Sequence, residues 1–202
     1  MIKAILYDLD GVLVDAVDIH KAAFAAALKD IAGVSITDEE HLSTFNGLPT
    51  KRKLEILVEQ DRLAENLIPF IERLKQEMTI AQINTYMYPA HSKIHLHKWA
   101  IGNNIKVACV TNSIRQTASL MLERTGQLRY IQILITNQDV KLPKPDPEGY
   151  LKAMERLGVT PAETLIVEDS PKGIEAAKAT GAKIMIVSSP HEVTIENVRR
   201  YL

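Results

Sequence analysis

The sequence has 202 residues, of which 46% are hydrophobic and 24% charged, a balance typical of a folded domain of medium size with room for an insert. Its 24 Lys and Arg against 25 Asp and Glu give a net charge of −1, which excludes the strongly basic surface that nucleic acids and anionic membranes bind. No apolar run approaches the roughly 18 residues of a membrane span, and the first residues enter a strand directly, so we expect neither a membrane segment nor a signal peptide. The single Cys109 is expected to be a buried, inert thiol in a cytoplasmic protein.

The first predicted strand, residues 2–9, runs into two carboxylates and a glycine. Side chains alternate between the faces of a strand, so Asp8 and Asp10 are expected to point the same way. Two such like charges repel, and a cation that takes hard oxygen ligands, such as Mg²⁺, would compensate them. The alternative is that Asp10 and Gly11 only form a turn.

Only helices are predicted between residues 15 and 87. They are expected at 15–31 with Gly33 as the stop, from a Thr37/Glu40 capping box to 45, at 50–60 with Thr50 as the N-cap, and at 64–87 with Pro69 near its start. A break at 46–49 separates the second and third of these helices.

Strands and helices alternate from residue 88 onwards. Strands are predicted at 105–110, 131–136, 164–167 and 183–187, with helices at 91–101, 113–125, from an Asp146 cap to 158, 171–180, and one more short helix in 191–202. This alternation predicts an α/β fold with a doubly wound parallel sheet. The helical block is then an insert, so residues 1–14 and 88–202 form the core domain and 15–87 a second domain.

Polar residues follow several strands of this predicted sheet. Thr111, Asn112 and Ser113 come after the second strand, Lys144 lies on a later loop, and Glu168 and Asp169 end the fourth. Ligands of open α/β sheets bind outside the carboxyl ends of the strands, so these groups are expected to meet Asp8 and Asp10 there. Singly, Lys144 could be a solvated loop lysine and the 168–170 segment a helix cap. The sequence contains no glycine-rich phosphate loop, so it does not predict a nucleotide-dependent enzyme.

Four segments in order at the strand ends resemble the motifs of the haloacid dehalogenase superfamily. They are Asp8-Leu9-Asp10-Gly11-Val12, Val110-Thr111-Asn112-Ser113, Lys144-Pro145-Asp146-Pro147 and Val167-Glu168-Asp169-Ser170. The chain is similar to the branch that holds β-phosphoglucomutase and small-metabolite phosphatases, and the helical block matches the cap of that branch. The resemblance spans nearly the whole chain.

This resemblance implies a role for each motif. Asp8 would be the nucleophile that forms an aspartyl-phosphate, and Asp10 would protonate the leaving oxygen and then activate water. Thr111 would bind a phosphoryl oxygen and Lys144 would pair with Asp8 and the phosphate. Mg²⁺ would be held by Asp8, the Asp10 backbone carbonyl and Asp169, with Glu168 as a ligand or as a partner behind the ligands.

The cap and the second motif would choose the substrate, which the resemblance implies is a small phosphorylated metabolite. The candidate substrate-binding residues are His20, Gly47, Thr50, Lys51, Lys75, Asn112 and Ser113. His20 and Lys75 favour a mutase, although His20 could be no more than a polar residue on a helix face.

Other positions depart from the mutase pattern. The cap arginine has no counterpart, since Lys51 and Arg52 are displaced from its place. Ala16 replaces a hydroxyl residue, and the lysine expected after Thr111 is missing. We therefore predict a phosphatase acting on a sugar or polyol phosphate, as a monomer or weak homo-oligomer. The alternatives are a phosphosugar mutase and a non-catalytic binding module on the same fold.

Overall fold

A computed structural model describes residues 1–202, except for the side chain of Leu42. Five parallel strands form one sheet in the order β3-β2-β1-β4-β5. The strands are β1 Ala4–Tyr7, β2 Lys106–Val110, β3 Ile133–Ile135, β4 Thr164–Glu168 and β5 Lys183–Ile186. From β1 the chain adds strands on one side and then returns to add β4 and β5 on the other. The crevice between β1 and β4 is therefore the switch point of the sheet, where such folds bind ligands.

Both faces of the sheet are covered, as parallel sheets require. Alternate residues of β1 show this: Ile5 and Tyr7 belong to one hydrophobic cluster, whereas Ala4 and Leu6 belong to a second cluster on the other face. All four side chains are fully buried. The predicted α/β sheet with a buried β1 is confirmed.

Nine α-helices surround and extend this sheet. They are α1 Val17–Ala32, α2 Asp38–Glu40, α3 Thr50–Glu59, α4 Ile68–Tyr86, α5 His91–Gly102, α6 Arg115–Arg124, α7 Glu148–Leu157, α8 Pro171–Thr180 and α9 Ile195–Arg199. A π-helical segment, His41–Phe45, follows α2, and 3-10 turns cover Glu65–Leu67, Leu128–Tyr130, Pro161–Glu163 and Pro190–Glu192. None of the helices described here combines the length and the apolar character needed to span a bilayer.

Helices α1, α3 and α4 and the π-helical segment share a hydrophobic core of their own. Phe24 on α1, Phe45 at the end of the π-helical segment, Leu54 and Leu57 on α3 and Ile71 on α4 are all buried in one cluster. The rings of Phe24 and Phe45 meet edge to face with centroids 6.2 Å apart. A separate core gives this helical block its own rigidity beside the sheet.

Several predicted helix boundaries need correction. Thr50 is the first residue of α3, and Pro49 occupies the N-cap without a side-chain hydrogen bond. Asp146 accepts a hydrogen bond from the Glu148 backbone, but Pro147 occupies the N-cap of α7. The tail contains a 3-10 turn and α9 instead of one helix, because Ser189 and Thr194 each cap a separate turn.

Candidate active site

Asp8 and Asp10 leave the end of β1 at the centre of the sheet. The Asp8 backbone N–H donates to the Val167 carbonyl of β4 at 3.0 Å, which continues the strand pairing for one residue. Gly11 then turns the chain with a φ of +85°. A Cβ at Gly11 would lie 2.2 Å from Asp169 Oδ2, so only glycine lets the loop after β1 approach the loop after β4 this closely.

Lys144 links the carboxylates at the ends of β1 and β4. Its Nζ lies 2.7 Å from Asp8 Oδ1 and 2.6 Å from Glu168 Oε1, and the lysine is only 6% exposed. Tyr150 of α7 donates its hydroxyl to the same Glu168 oxygen at 2.6 Å, and its ring centroid lies 4.7 Å from Nζ. Burial alone would lower the Lys144 pKa, but the two carboxylates outweigh burial and raise it.

Glu168 is fully buried behind Lys144. While Oε1 receives Lys144 and Tyr150, Oε2 accepts the backbone N–H of Asp169 at 3.0 Å. A Cβ at Gly173, in the first turn of α8, would lie 1.9 Å from Oε1, so glycine at that position makes the space for this carboxylate. Glu168 therefore orients Lys144 and the Asp169 loop.

Three carboxylates at this point could hold a metal ion. Oxygen atoms of Asp8, Glu168 and Asp169 all lie within 4.8 Å of one another. Asp169 Oδ1 is buried and has no hydrogen-bond partner among the described residues. The donor set of hard carboxylate oxygens therefore fits a divalent cation such as Mg²⁺ or Ca²⁺.

The pKa values of the acidic cluster indicate the same need for positive charge. Burial, followed by the charge of Glu168, raises the pKa of Asp169 to about 7. Burial also raises the Asp8 pKa, which Lys144 opposes and the neighbouring carboxylates reinforce. One lysine does not neutralise these acids, and a bound cation would lower both pKa values again.

Asp10 faces a different set of partners. Its Oδ2 accepts from the Ser113 hydroxyl at 2.9 Å, and His20 Nε2 lies 3.1 Å from Oδ1. Lys75 Nζ lies 2.9 Å from His20 Nδ1; because an ammonium group can only donate, this contact leaves the imidazole proton on Nε2, towards Asp10. Burial raises the Asp10 pKa, but His20, Ser113 and Lys75 together outweigh burial and lower it.

Thr111 and Asn112 connect the loop after β2 to the rest of the site. The Thr111 side chain accepts the Ser113 N–H at 3.0 Å, which shapes the loop. The Asn112 amide donates to the Gly47 carbonyl at 2.8 Å and to the Lys144 carbonyl at 3.1 Å, and its oxygen accepts the Lys144 N–H at 3.1 Å. Asn112 thus joins the helical block to the loop that carries Lys144.

A cavity of about 150 Å³ lies between the sheet edge and the helical block. The sequence analysis predicted thirteen site residues, and all of them except Glu168 line it. They are Asp8, Asp10, His20, Gly47, Thr50, Lys51, Lys75, Thr111, Asn112, Ser113, Lys144 and Asp169. The structure thus brings the predicted residues together.

Several residues of the site were not predicted from the sequence, among them four polar ones on or behind the cavity wall. His41, Lys53 and Gln76 line the cavity from the helical block, and Tyr150 lies behind Lys144. The spacing of Lys53 four residues before the buried Leu57 could have indicated that it faces inward. No comparable signal distinguishes Tyr150 from an ordinary core tyrosine.

Comparison with known proteins identifies the family. A family model described as haloacid dehalogenase-like hydrolase matches residues 5–187. The chain is 29% identical over 180 residues to the phosphorylated carbohydrates phosphatase of Thermotoga maritima, covering 89% of this chain and 82% of the relative. It is 30% identical over 201 residues to the validoxylamine A 7'-phosphate phosphatase of Streptomyces hygroscopicus subsp. limoneus, covering 95% and 88%.

The fold comparison agrees with this family. A crystal structure of β-phosphoglucomutase from Clostridium difficile matches with a TM-score of 0.85 and 22% identity, covering 99% of this chain and 96% of that one. At that identity the match concerns the fold. The family model covers most of the chain, and with the two phosphatase relatives it shows that this enzyme belongs to the haloacid dehalogenase-like hydrolases.

Proposed function

We propose that the chain is a Mg²⁺-dependent phosphatase that hydrolyses a small phosphorylated metabolite, a sugar or polyol phosphate, through an aspartyl-phosphate on Asp8. The observation that carries this proposal is the buried Asp8 carboxylate, which Lys144 holds at 2.7 Å on the wall of the cavity. Asp10, with its separate partners Ser113 and His20, lines the same cavity. The names of the two phosphatase relatives support this reaction class.

The residues present fit a magnesium ion. Asp8 and Asp169 would hold it together with the Asp10 backbone carbonyl, while Glu168, whose oxygens already accept hydrogen bonds, would stay behind these ligands. When bound, the ion would neutralise charge on the phosphoryl oxygens and so allow the anionic Asp8 to approach.

In the first step an Asp8 carboxylate oxygen attacks phosphorus and the bond from phosphorus to the ester oxygen breaks. Asp10 donates a proton to that leaving oxygen, which departs as an alcohol. Because its neighbours lower the pKa of Asp10 when no substrate is bound, Asp10 must gain this proton as substrate binds. A phosphate dianion beside Asp10 favours that change, because a nearby negative charge raises the pKa of a carboxyl group.

In the second step Asp10, now a carboxylate, takes a proton from water. The water oxygen attacks phosphorus, the bond to Asp8 breaks, and inorganic phosphate leaves, with Asp8 a carboxylate again and Asp10 holding the proton that it took from water. Thr111 and Lys144 would bind phosphoryl oxygens throughout, and Ser113 would hold Asp10 in position.

Residues 15–87 would act as a cap domain on a core formed by residues 1–14 and 88–202. Gly47, Thr50 and Lys51 would contact the substrate from the cap, and the Asn112 contact to Gly47 would help to hold the cap closed over the first step. We expect the enzyme to act in the cytoplasm as a monomer or weak homo-oligomer.

A phosphosugar mutase is the second candidate. The contact between Lys75 and His20, next to Asp10, favours it, because both residues were expected from the mutase resemblance. The missing cap arginine speaks against it, since a bisphosphate intermediate would lose the paired N–H contacts that an arginine makes to a phosphate and a lysine cannot reproduce.

Phosphate release from a panel of sugar and polyol phosphates tests the proposal. We expect release of inorganic phosphate from several esters, which EDTA abolishes and Mg²⁺ restores. Conversion of β-glucose 1-phosphate to the 6-phosphate with almost no phosphate release would replace the phosphatase with the mutase. If no ester is turned over, the chain is a binding module on the same fold.

A further inference from the structure

Lys53 is a buried lysine that faces the cavity. It lies on the inner side of α3 and is only 9% exposed. Its Nζ lies 5.3 Å from the centroid of the Phe24 ring. Among the side chains that the structure describes, none forms an ion pair or a hydrogen bond with its ammonium group. An ammonium group buried in this way costs free energy unless an anion pairs with it.

The other buried lysines each have partners. Lys144 contacts two carboxylates, Lys75 contacts His20, and Lys93 donates to the Val193 carbonyl at 2.9 Å. Lys53 instead has a cation as its neighbour: burial, and then the charge of Lys75, lowers its pKa to about 8, with Asp10 opposing. Lys53 therefore faces the cavity without an ion-pair partner among the described side chains, since neither Asp10 nor the partly buried Glu72, which also line the cavity, forms an ion pair with it.

A second polar group beside the cavity is also unpartnered. His41, in the π-helical segment, is 4% exposed, and its Nδ1 has no hydrogen-bond partner among the described side chains. Burial lowers its pKa to about 4, and Lys53 adds to that effect, so the ring is neutral near pH 7. A neutral imidazole can donate one N–H to an incoming group.

We infer that Lys53, assisted by His41, forms a subsite in the cap for a second anionic group of the substrate. The occupant is a carboxylate or a second phosphate on the same molecule whose ester phosphate reaches Asp8. This inference rests on the proposed phosphatase function and narrows its substrates to phosphorylated acids or bisphosphates.

The charge of the subsite argues for an anion over a hydroxyl group. A hydroxyl could accept a hydrogen bond from Lys53, but it would leave the ammonium charge and its repulsion by Lys75 unbalanced. Asp10 offsets them only in part, because it forms no ion pair with Lys53, accepts a hydrogen bond from Ser113 and lies against His20. An anion pairs with Lys53 through a charge-assisted hydrogen bond, which is stronger than a neutral one.

Matched substrates and variants test the subsite. Glycerol 3-phosphate and 3-phosphoglycerate differ in a hydroxymethyl group against a carboxylate, and glucose 1-phosphate and glucose 1,6-bisphosphate differ in a second phosphate. Kinetics on both pairs would compare the wild type with Lys53→Met, which keeps the length of the chain without its charge. Arg52→Met is the matched control, because Arg52 lies on the same helix and forms ion pairs with Glu55 and Glu59 at the surface.

We expect the wild type to prefer the anionic member of at least one pair. Lys53→Met should lower kcat/KM for that member by about tenfold or more, mainly through KM, and change the neutral member by less than about twofold. Arg52→Met should leave the preference intact. The pair that responds identifies carboxylate or phosphate as the occupant. Equal losses on both members, or no preference in the wild type, would overturn the inference.

Binding to an inactive enzyme separates this inference from the proposed function. Calorimetry would compare 3-phosphoglycerate with glycerol 3-phosphate, and glucose 1,6-bisphosphate with glucose 1-phosphate, on Asp8→Asn and on Asp8→Asn combined with Lys53→Met. Tighter binding of an anionic member that depends on Lys53 would support the subsite even if the wild type hydrolyses no ester. Hydrolysis without any such preference in binding would support the phosphatase and reject the subsite.

Discussion

The two walls of the cavity differ in how their charges are balanced. On the core wall, Lys144 lies between Asp8 and Glu168, and Tyr150 completes the set with distances of 2.6 to 2.7 Å. On the cap wall, none of the described side chains forms an ion pair with Lys53 or a hydrogen bond with His41 Nδ1.

This difference distinguishes the residues that carry out the reaction from those that recognise the substrate. Groups that act on the phosphate have to be held in place before substrate arrives, which the strand ends and the buried hydrogen bonds achieve. Groups that select the substrate bind it more strongly when they have no partner within the protein, because the ligand then supplies the missing partner. We therefore expect substitutions on the core wall to remove activity or stability, and those on the cap wall to change preference.

Among the substitutions that compare the two walls, Asp10→Asn should have the largest effect. Asp10→Asn removes the proton donor, so kcat/KM for a sugar phosphate should fall by about 10²- to 10⁴-fold. With p-nitrophenyl phosphate, whose leaving group hardly needs protonation, the loss should be at least about tenfold smaller. Steady-state kinetics on both substrates measures the difference. Equal losses would mean that Asp10 does not act on the leaving oxygen.

Lys144 should matter for stability as well as for turnover. Lys144→Met leaves Asp8 and Glu168 buried without their shared cation, which should lower the free energy of unfolding by about 3 to 5 kcal/mol without metal. Calorimetry with and without Mg²⁺ measures this change, and Mg²⁺ should restore part of the loss. The control Lys98→Met removes an exposed lysine and should change little. An unchanged Tm for Lys144→Met would contradict the account of the core wall.

Replacing Lys53 should have the smallest effect of these substitutions, and it should raise the free energy of unfolding instead of lowering it. Its pKa of about 8 in the folded protein lies below its ordinary value of 10.5, so keeping Lys53 charged destabilises the fold. This cost is present in full below pH 8. That cost disappears as pH rises towards 10.5, where the unfolded chain also loses its proton. Lys53→Met should therefore raise the free energy of unfolding by about 1 to 3 kcal/mol at pH 7, and by less near pH 10.

Urea unfolding at both pH values, with Arg52→Met as the control, measures this effect. A Lys53→Met variant that is less stable than the wild type at pH 7 would show that the lysine has a structural partner. The cap wall would then be balanced like the core wall, and the comparison between the two would fail.

Most residues of the core wall could be predicted from the sequence because they directly follow short strands of a parallel sheet. A polar residue just after a buried strand must lie at one edge of the sheet, so Asp8, Thr111 and Asp169 follow from position along the chain. Lys144 lies on a later loop and was expected at the same edge, but its pairing with Asp8 was predicted only from the resemblance of its motif. The burial of Glu168 was harder to foresee, because the space for it depends on Gly173, one turn into another helix.

The cap wall was less predictable for a physical reason. Leu54 and Leu57 of α3 are buried and Val58 is partly buried, and a lysine beside such an apolar face normally extends to solvent. The spacing to Leu57 puts Lys53 on the same side of α3, but whether its long side chain stays inside or extends to solvent depends on how α1 and α4 pack around α3. His41 likewise depends on the π-helical segment, which no local pattern indicated.

The most direct test of the account is Mg²⁺-dependent hydrolysis of p-nitrophenyl phosphate by Asp8→Asn. The matched control is Asp15→Asn, which makes the same change at an exposed position seven residues further along the chain. Asp8→Asn should reduce kcat by about 10³-fold or more, whereas Asp15→Asn should behave like the wild type. An Asp8→Asn enzyme that keeps wild-type activity would contradict the assignment of Asp8 as the nucleophile.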